Sequence, residues 1–270
     1  MSNKIGAAII TKDRVDFFKK CSQSILGAVD TLVVINDGEA YPADAYDKSM
    51  TVIQHHKNQG VCLSKNEALR TLIQDGCDHL FLIEDDMLIM NKDVFKKYIQ
   101  TAEETGIWHL NYGYHGPANR NPNNYFEKTP RLEINYPNDI RLALNPNCVG
   151  SFCYYFKGVI RGVGYLDERL KNNAWEHVEH TNRIIKAGLH PPFWWFADVA
   201  NSDAYIQEQA SSEVNSVIRK TDEWQKNLRE GMELYKYLHG HYPQQTPDTP
   251  QEKVVQILKD IKTMYARKVL

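Results

Sequence analysis

Over the first two-thirds of the chain, apolar and polar positions fall into blocks of two kinds. Continuous apolar runs at Ile5–Ile10, Thr31–Ile35, Thr51–Gln54 and His79–Ile83 have the length of strands buried on both faces. Between them, small or apolar residues recur at helical spacing. They are Val15, Phe18, Ser22, Ile25, Leu26 and Val29; then Leu69, Leu72 and Ile73 within Leu63–Gln74; then Val94, Phe95, Tyr98, Ile99 and Ala102 within Lys92–Glu104. Strands alternating with helices predict a parallel, doubly wound sheet. Each strand runs into polar residues: Thr11-Lys12-Asp13-Arg14, Asn36-Asp37-Gly38, His55 to Gly60, and Glu84-Asp85-Asp86. In open α/β sheets the carboxyl ends of strands are where ligands bind.

Further on, Ile107–Leu110, Ile140–Leu144, Val149–Phe156 and Phe193–Val199 read as additional strands. The stretch Tyr112–Asn138 is rich in Gly, Pro and Asn and predicts irregular structure. Its first part, Tyr112–Pro130, is of the kind that closes over a substrate as a lid. Arg161–Asp167 predicts a turn, and Trp175 opens a helix that runs to Lys186 and is closed by Gly188. Beyond Ser202 the chain turns helical. Glu213–Leu238 carries Val214, Val217, Ile218, Trp224, Leu228, Leu234 and Leu238. After a linker over Pro243–Pro250, Thr249-Pro250-Gln251-Glu252 starts a last helix with an apolar stripe of Val255, Leu258, Ile261 and Tyr265. Such a stripe suits packing on a domain or a second subunit better than a membrane, which leaves peripheral membrane contact and a homo-oligomer as expectations. The domain reading is 1–202, with halves 1–111 and 112–202, and a helical extension over 203–270.

Composition narrows the partners. With 270 residues and a net charge of −2, the chain offers no electrostatic reason to bind nucleic acid. Five cysteines, an odd number without a Cys-x-x-Cys pair, suit a reduced, cytoplasmic protein without a disulfide framework or zinc cluster. No apolar stretch approaches the roughly 20 residues of a membrane span, and no leader-like apolar region opens the chain. The acid triplet is the sharpest chemical signal. Three carboxylates in a partly dry site repel one another unless a cation joins them, and their oxygens suit Mg²⁺ or Mn²⁺. In this reading Glu84 and Asp86 face a divalent ion and Asp85 alternates away or supports. The bland alternative is a solvated acidic loop.

Taken in order, five blocks resemble the GT-A glycosyltransferases of the large family-2 type. Ala7–Arg14 resembles the first strand and its T-x-x-R loop. Leu32–Gly38 resembles the Asp-Asp-Gly strand, and Asn58-Gln59-Gly60 through Ser64-Lys65-Asn66 the N-x-G segment with its basic residue. Glu84-Asp85-Asp86 stands at the D-x-D metal motif. Val163–Glu168 followed by Trp175–Glu179 resembles the acceptor-side block. The resemblance implies a GT-A (Rossmann-like) α/β fold, with a mixed, mostly parallel sheet flanked by helices. It implies transfer of a sugar from a nucleotide sugar, a UDP-sugar by default, to a glycan or glycoconjugate hydroxyl with Mn²⁺ or Mg²⁺, as in polysaccharide biosynthesis. Thr11, Arg14, Asp37, Asn58, Gly60, Lys65 and Asp85 would line the nucleotide, and Asp86 and Glu84 would hold the metal. The family's later metal histidine has no match, and Asp198 is the candidate in its place, with His180, His190 or water as alternatives. The family's Glu-Asp pair, whose Asp is the base of an inverting transfer, is here Glu176-His177. The base is then His177, Glu176 or Glu179. Asn147–Ser151 resembles the segment bordering donor sugar and acceptor, and His109, Tyr112 and Tyr114 are candidates to stack on a sugar. Trp108 reads better as core. Two rivals stand beside this reading: a nucleotidyltransferase that makes nucleotide sugars, which would want a Gly-rich basic loop after the first strand, and a non-catalytic glycan- or nucleotide-binding module.

Overall fold

The computed structural model of the chain describes residues 3–114, 120–121, 123–170, 175–209, 222–246 and 248–268. Its centre is a six-stranded sheet of order β3-β2-β1-β4-β11-β6. It is built from β1 (Ile5–Thr11), β2 (Thr31–Asn36), β3 (Met50–Gln54), β4 (His79–Glu84), β6 (His109–Asn111) and β11 (Phe152–Phe156). The first four run parallel, and β11 enters antiparallel between β4 and β6. Helices α1 (Val15–Ile25), α2 (Val61–Gln74) and α3 (Val94–Thr105) make the crossovers, so the expected doubly wound, mostly parallel α/β arrangement is present. The inner strands are apolar throughout because helices cover both faces: Ala7, Ala8, Ile9, Val33, Val34, Ile35, Leu80, Phe81 and Ile83 are all fully buried. In register, Ile10 stands beside Ile35 on one side and Glu84 on the other. The polar segments after β1, β2 and β4 therefore emerge along one edge.

A second sheet, β12-β10-β9, is formed by β9 (Leu132–Asn135), β10 (Arg141–Asn145) and β12 (Phe196–Val199). A ribbon pairs β5 (Met87–Ile89) with β13 (Ile206–Glu208), and another pairs β7 (Arg120–Asn121) with β8 (Asn124–Lys128). Strands β8 and β9 fall in the stretch expected to be irregular. The period-two alternation of Leu132 and Ile134 is brief and is flanked by Pro130 and Pro137, which masked it. Part of the proposed lid, 115–119 and 122, lies outside the described residues.

Helix α4 (Lys157–Val163) replaces part of the predicted turn; two glycines in seven residues had hidden its periodicity. Helix α5 (Glu176–Lys186) follows as expected. Strand β12 begins three residues late because Trp194 takes a positive φ of 68°. Helix α6 (Asp222–His239) lies against α5, where the Asn182 amide donates to Tyr235 Oη at 2.8 Å. Helix α7 (Gln251–Lys268) lies on α3 and puts Val254, Leu258 and Ile261 into the main core. The expected stripe is thus used within the chain at Leu258 and Ile261, but Val254 takes the buried place expected of Val255, which is only half-buried. Val214, Val217, Ile218 and the side chain of Tyr265 lie outside the described residues. Among those described, no helix is long and apolar enough to cross a membrane.

Candidate active site

On the β1 side, four groups form a directed hydrogen-bond chain. The Arg14 backbone N–H donates to Tyr41 Oη at 2.9 Å, Tyr41 Oη meets Thr11 Oγ1 at 2.8 Å, and the Thr11 hydroxyl donates to Asp85 Oδ2 at 2.7 Å. Because Thr11 spends its proton on Asp85, Tyr41 is the donor in the middle link. The Arg14 guanidinium pairs with Asp85 Oδ1 and lies 3.4 Å from Asp86 Oδ2. Asp85 is fully buried, and burial outweighs Arg14 and Thr11, pushing its carboxyl up to about 7. Asp85 is therefore held in the interior, and it shares the Arg14 guanidinium with Asp86.

Asp37, at the end of β2, binds the loop that launches α2. Its Oδ1 accepts from Gln59 N at 2.6 Å and meets His55 Nδ1 at 2.7 Å, and its Oδ2 accepts from Gly60 N at 2.8 Å. Asn58 Oδ1 accepts from the same Gly60 N–H at 2.9 Å. His55 Nε2 meets Glu67 at 2.7 Å, and Glu67 lines a groove of about 740 Å³ outside edge strand β3 with His56, Lys57 and Arg70. The two carboxylates hold the His55 imidazole above its ordinary value, against the opposing effect of its burial.

The start of α2 fixed in this way delivers Lys65 to the centre of the site. Its ammonium, 2% exposed, donates to Glu84 Oε1 at 3.0 Å, to Gly150 O at 3.0 Å and to Glu176 Oε1 at 3.3 Å. Burial alone would lower the lysine, but Glu84 and Glu176 more than offset it, so the charge is retained. The same ammonium, with His177, holds Glu176 well below the usual carboxylate range despite burial. His177 Nδ1 lies 3.2 Å from Glu176 Oε1, and the imidazole is 19% exposed against 3% for the carboxylate. The close approach of Gly150 makes this possible, since a Cβ there would lie 2.6 Å from Lys65 Nζ and 3.2 Å from His177 Nδ1.

Most residues singled out in the sequence thus converge: Thr11, Arg14, Glu84, Asp85, Asp86, Lys65, Glu176 and His177, with Asp37, Asn58 and Gly60 behind them. Two do not. Glu179 turns to the other side of α5, where Arg183 (2.8 Å) and His239 (3.3 Å) take its oxygens, so it is not placed as a base. Asp198 is buried and accepts from Tyr98 Oη (2.5 Å), Ser202 Oγ (2.5 Å) and the backbone N–H groups of Gly113 and Val199 (both 2.8 Å). With its oxygens spent there, it does not replace the missing metal histidine. His180 and His190 likewise sit in a separate buried group with His109. Among the described residues, no three His, Cys, Asp or Glu side chains are grouped to hold a metal ion.

Tyr41, Asn111 and Asn145 were not marked in the sequence, and His55 was marked only as part of the polar segment after its strand. Asn111 and Asn145 end strands, the same signal that had marked Asn36 and Glu84. Trp108 packs on Phe156 at 4.7 Å as core.

No protein-family model matches the chain, and no curated protein does either. Solved structures do. The mannosyltransferase PcManGT from Pyrobaculum calidifontis, solved with GDP-Man and Mn²⁺, aligns over 95% of this chain and 68% of its own length at 11% identity and a TM-score of 0.56. GalNAc-T7, solved with UDP, GalNAc and Mn²⁺, aligns over 97% of this chain at 10% identity and a TM-score of 0.57. The chain spans 55% of that protein. The catalytic domain of Drosophila β1,4-galactosyltransferase 7, solved with xylobiose, aligns over 84% of this chain and 79% of its own at 10% identity and a TM-score of 0.50.

This chain has the GT-A fold. Within that fold, the segments after β1, β2 and β3 and the acid triplet after β4 make one half of the polar cluster described above. The start of α5 makes the other half, and Lys65 joins the two.

Proposed function

We propose that the protein is a metal-assisted glycosyltransferase. It moves a sugar from a nucleoside diphosphate sugar, a UDP-sugar by default, to a hydroxyl of a glycan or glycoconjugate, with inversion. The observation that carries this reading is the buried ammonium of Lys65, which ties Glu84 at the end of β4 to Glu176 at the start of α5 within the GT-A fold. A binding module has no need of a buried lysine between two carboxylates beside an open imidazole.

The donor chemistry of the triplet fits a hard divalent cation. Four carboxylates (Glu84, Asp85, Asp86 and Glu176) face two fixed cations, Arg14 and Lys65. Glu84 and Asp86 are the two left partly open, at 28% and 16%. Asp86 and Glu84 would hold Mn²⁺ or Mg²⁺, in keeping with ions bound through one or two carboxylates plus substrate phosphates. When bound, the ion supplies Lewis-acid neutralisation of the departing diphosphate. Arg14 lies beside it to meet the same developing charge. Thr11, Asp37, Asn58 and Gly60 shape the nucleotide pocket.

On the acceptor side, the held-down Glu176 is a weak proton acceptor and serves as the positioning residue. Its Oε1 accepts a hydrogen bond from His177 Nδ1–H, which leaves the lone pair on Nε2 to receive the acceptor hydroxyl proton. A cytoplasmic setting is part of this proposal and follows from the cysteine usage.

The test is nucleotide-sugar hydrolysis and thermal shift across a nucleotide-sugar panel with Mn²⁺. Turnover of at least one donor, and a shift with UDP that Asp86→Ala removes, are expected. A well-folded wild type that neither binds a nucleoside diphosphate nor turns over any donor would sink the reading.

A further inference from the structure

Four buried side chains carry polar atoms without a hydrogen-bond partner: Asn111 Oδ1, Asn145 Oδ1 and Nδ2, Ser151 Oγ and Glu176 Oε2. Buried polar atoms are nearly always paired, and leaving one unpaired is costly. Several in one place point to a partner from outside the chain.

The topology brings the four together. Asn111 stands opposite Cys153 across the β6–β11 pair, and its amide donates to Cys153 Sγ at 3.2 Å. One step nearer the carboxyl edge, on the same face, come Gly113 and Ser151. The Asn145 carboxamide, at the end of β10, fills the space that a side chain on Gly113 would occupy. Ser151 O accepts the Glu84 N–H at 2.8 Å, and its neighbour Gly150 accepts Lys65, which reaches Glu176. The orphan atoms therefore belong to the buried layer that connects the acid triplet, through Ser151, Gly150 and Lys65, to the Glu176–His177 pair.

We propose that Asn111, Asn145, Ser151 and Glu176 form a subsite that reads the hydroxyls of the donor's pyranose ring, with Asn145 and Ser151 setting the choice of epimer; the inference rests on the nucleotide-sugar reading above. The chemistry selects a neutral polyol. Asn111 Oδ1, Asn145 Oδ1 and Glu176 Oε2 accept, Asn145 Nδ2 donates, and Ser151 Oγ does both. Acceptors in the majority suit a ligand rich in O–H donors and disfavour an anion. A site built to hydrogen-bond a particular hydroxyl strongly rejects an analogue that misplaces it.

Calorimetric titration with Mn²⁺ tests this on wild type, Ser151→Ala and Asn145→Ala. The probes are UDP and two C4-epimer pairs: UDP-glucose with UDP-galactose, and UDP-N-acetylglucosamine with UDP-N-acetylgalactosamine. Wild type should separate the members of at least one pair by about tenfold or more, the factor set by one hydrogen bond. Each variant should bring that ratio to within about threefold while the Kd for UDP moves less than about twofold. Ser151→Ala removes only one oxygen and carries the test if Asn145→Ala fails to fold. A ratio that persists in the folded variants means that ordered water alone meets these atoms, and overturns the subsite. So does a wild type that binds UDP but separates neither pair, which leaves the nucleotide reading standing. If GDP rather than UDP is the nucleotide bound, the same ratio is read between the C2 epimers GDP-glucose and GDP-mannose; a wild type that binds neither nucleoside diphosphate overturns the nucleotide-sugar reading and the subsite with it.

Discussion

Helix α5 contributes to two buried polar clusters that solve the same problem in opposite ways. At its start, Glu176 and His177 join Lys65 and Glu84 in a cluster that keeps its charges. About one turn further, His180 and Thr181 join His109 and His190 in a cluster that gives them up. There each imidazole donates to a backbone carbonyl: His109 to Tyr154 O (3.0 Å), His180 to Gly164 O (2.9 Å) and His190 to Pro191 O (2.9 Å). Thr181 then donates to His109 Nε2 at 2.9 Å. Burial holds His109 well below its ordinary value and brings His180 down to about 3 and His190 to about 4. One cluster stays ionised because its cation is matched by carboxylates. The other stays neutral because only carbonyls and a hydroxyl answer it. The first has the chemistry of a site, and the second has the chemistry of a core.

The largest expected effect comes from removing the cation of the charged cluster. Lys65→Met leaves Glu84 and Glu176 facing each other without compensation, and a loss of about 3–5 kcal/mol in urea denaturation is expected. A loss below about 1 kcal/mol would erase the contrast between the clusters. Next, His177→Ala should lower kcat by about 10²- to 10⁴-fold with the melting temperature nearly unchanged. Glu176→Gln should shift the pH profile while retaining part of the rate. A normal rate in His177→Ala would return the base role to Glu176.

The neutral cluster predicts a pH effect of definite sign. Unfolded imidazoles protonate below about 6.5, whereas folded His190 stays neutral down to about 4. Between those values the unfolded state binds more protons, so stability falls with falling pH by roughly 1.4 kcal/mol per unit for this residue. Compared with wild type, His190→Gln should lose that dependence in denaturation curves collected from pH 4 to 6.5. Parallel curves would mean that His190 is not held neutral. The smallest effect is reserved for an exposed pair. Lys262→Ala, which breaks the 2.6 Å contact between α7 and Glu104, should cost under about 1 kcal/mol.

What was legible in the sequence follows from locality. Consecutive apolar residues and helical spacing depend only on near neighbours along the chain, so β1 to β4 with α1 to α3 could be read directly. So could the polar residues that end each strand, because their register within the sheet follows from strand length. The short, glycine-bearing α4 and the proline-flanked β9 could not, since their stability comes from tertiary contacts rather than from their own pattern. The sequence also marked Glu176, His177 and Glu179 as one group. Their spacing placed them on one helix but did not decide which faced the site.

Tertiary structure made that decision. It turned Glu179 to Arg183 and His239, spent Asp198 on Tyr98, Ser202 and two backbone N–H groups, and brought Lys65 to Glu84 and Glu176, 19 and 111 residues away along the chain. Composition determines which charges a chain carries. Which of them meet in a dry interior depends on how the strands and helices cross, and only the folded chain sets that.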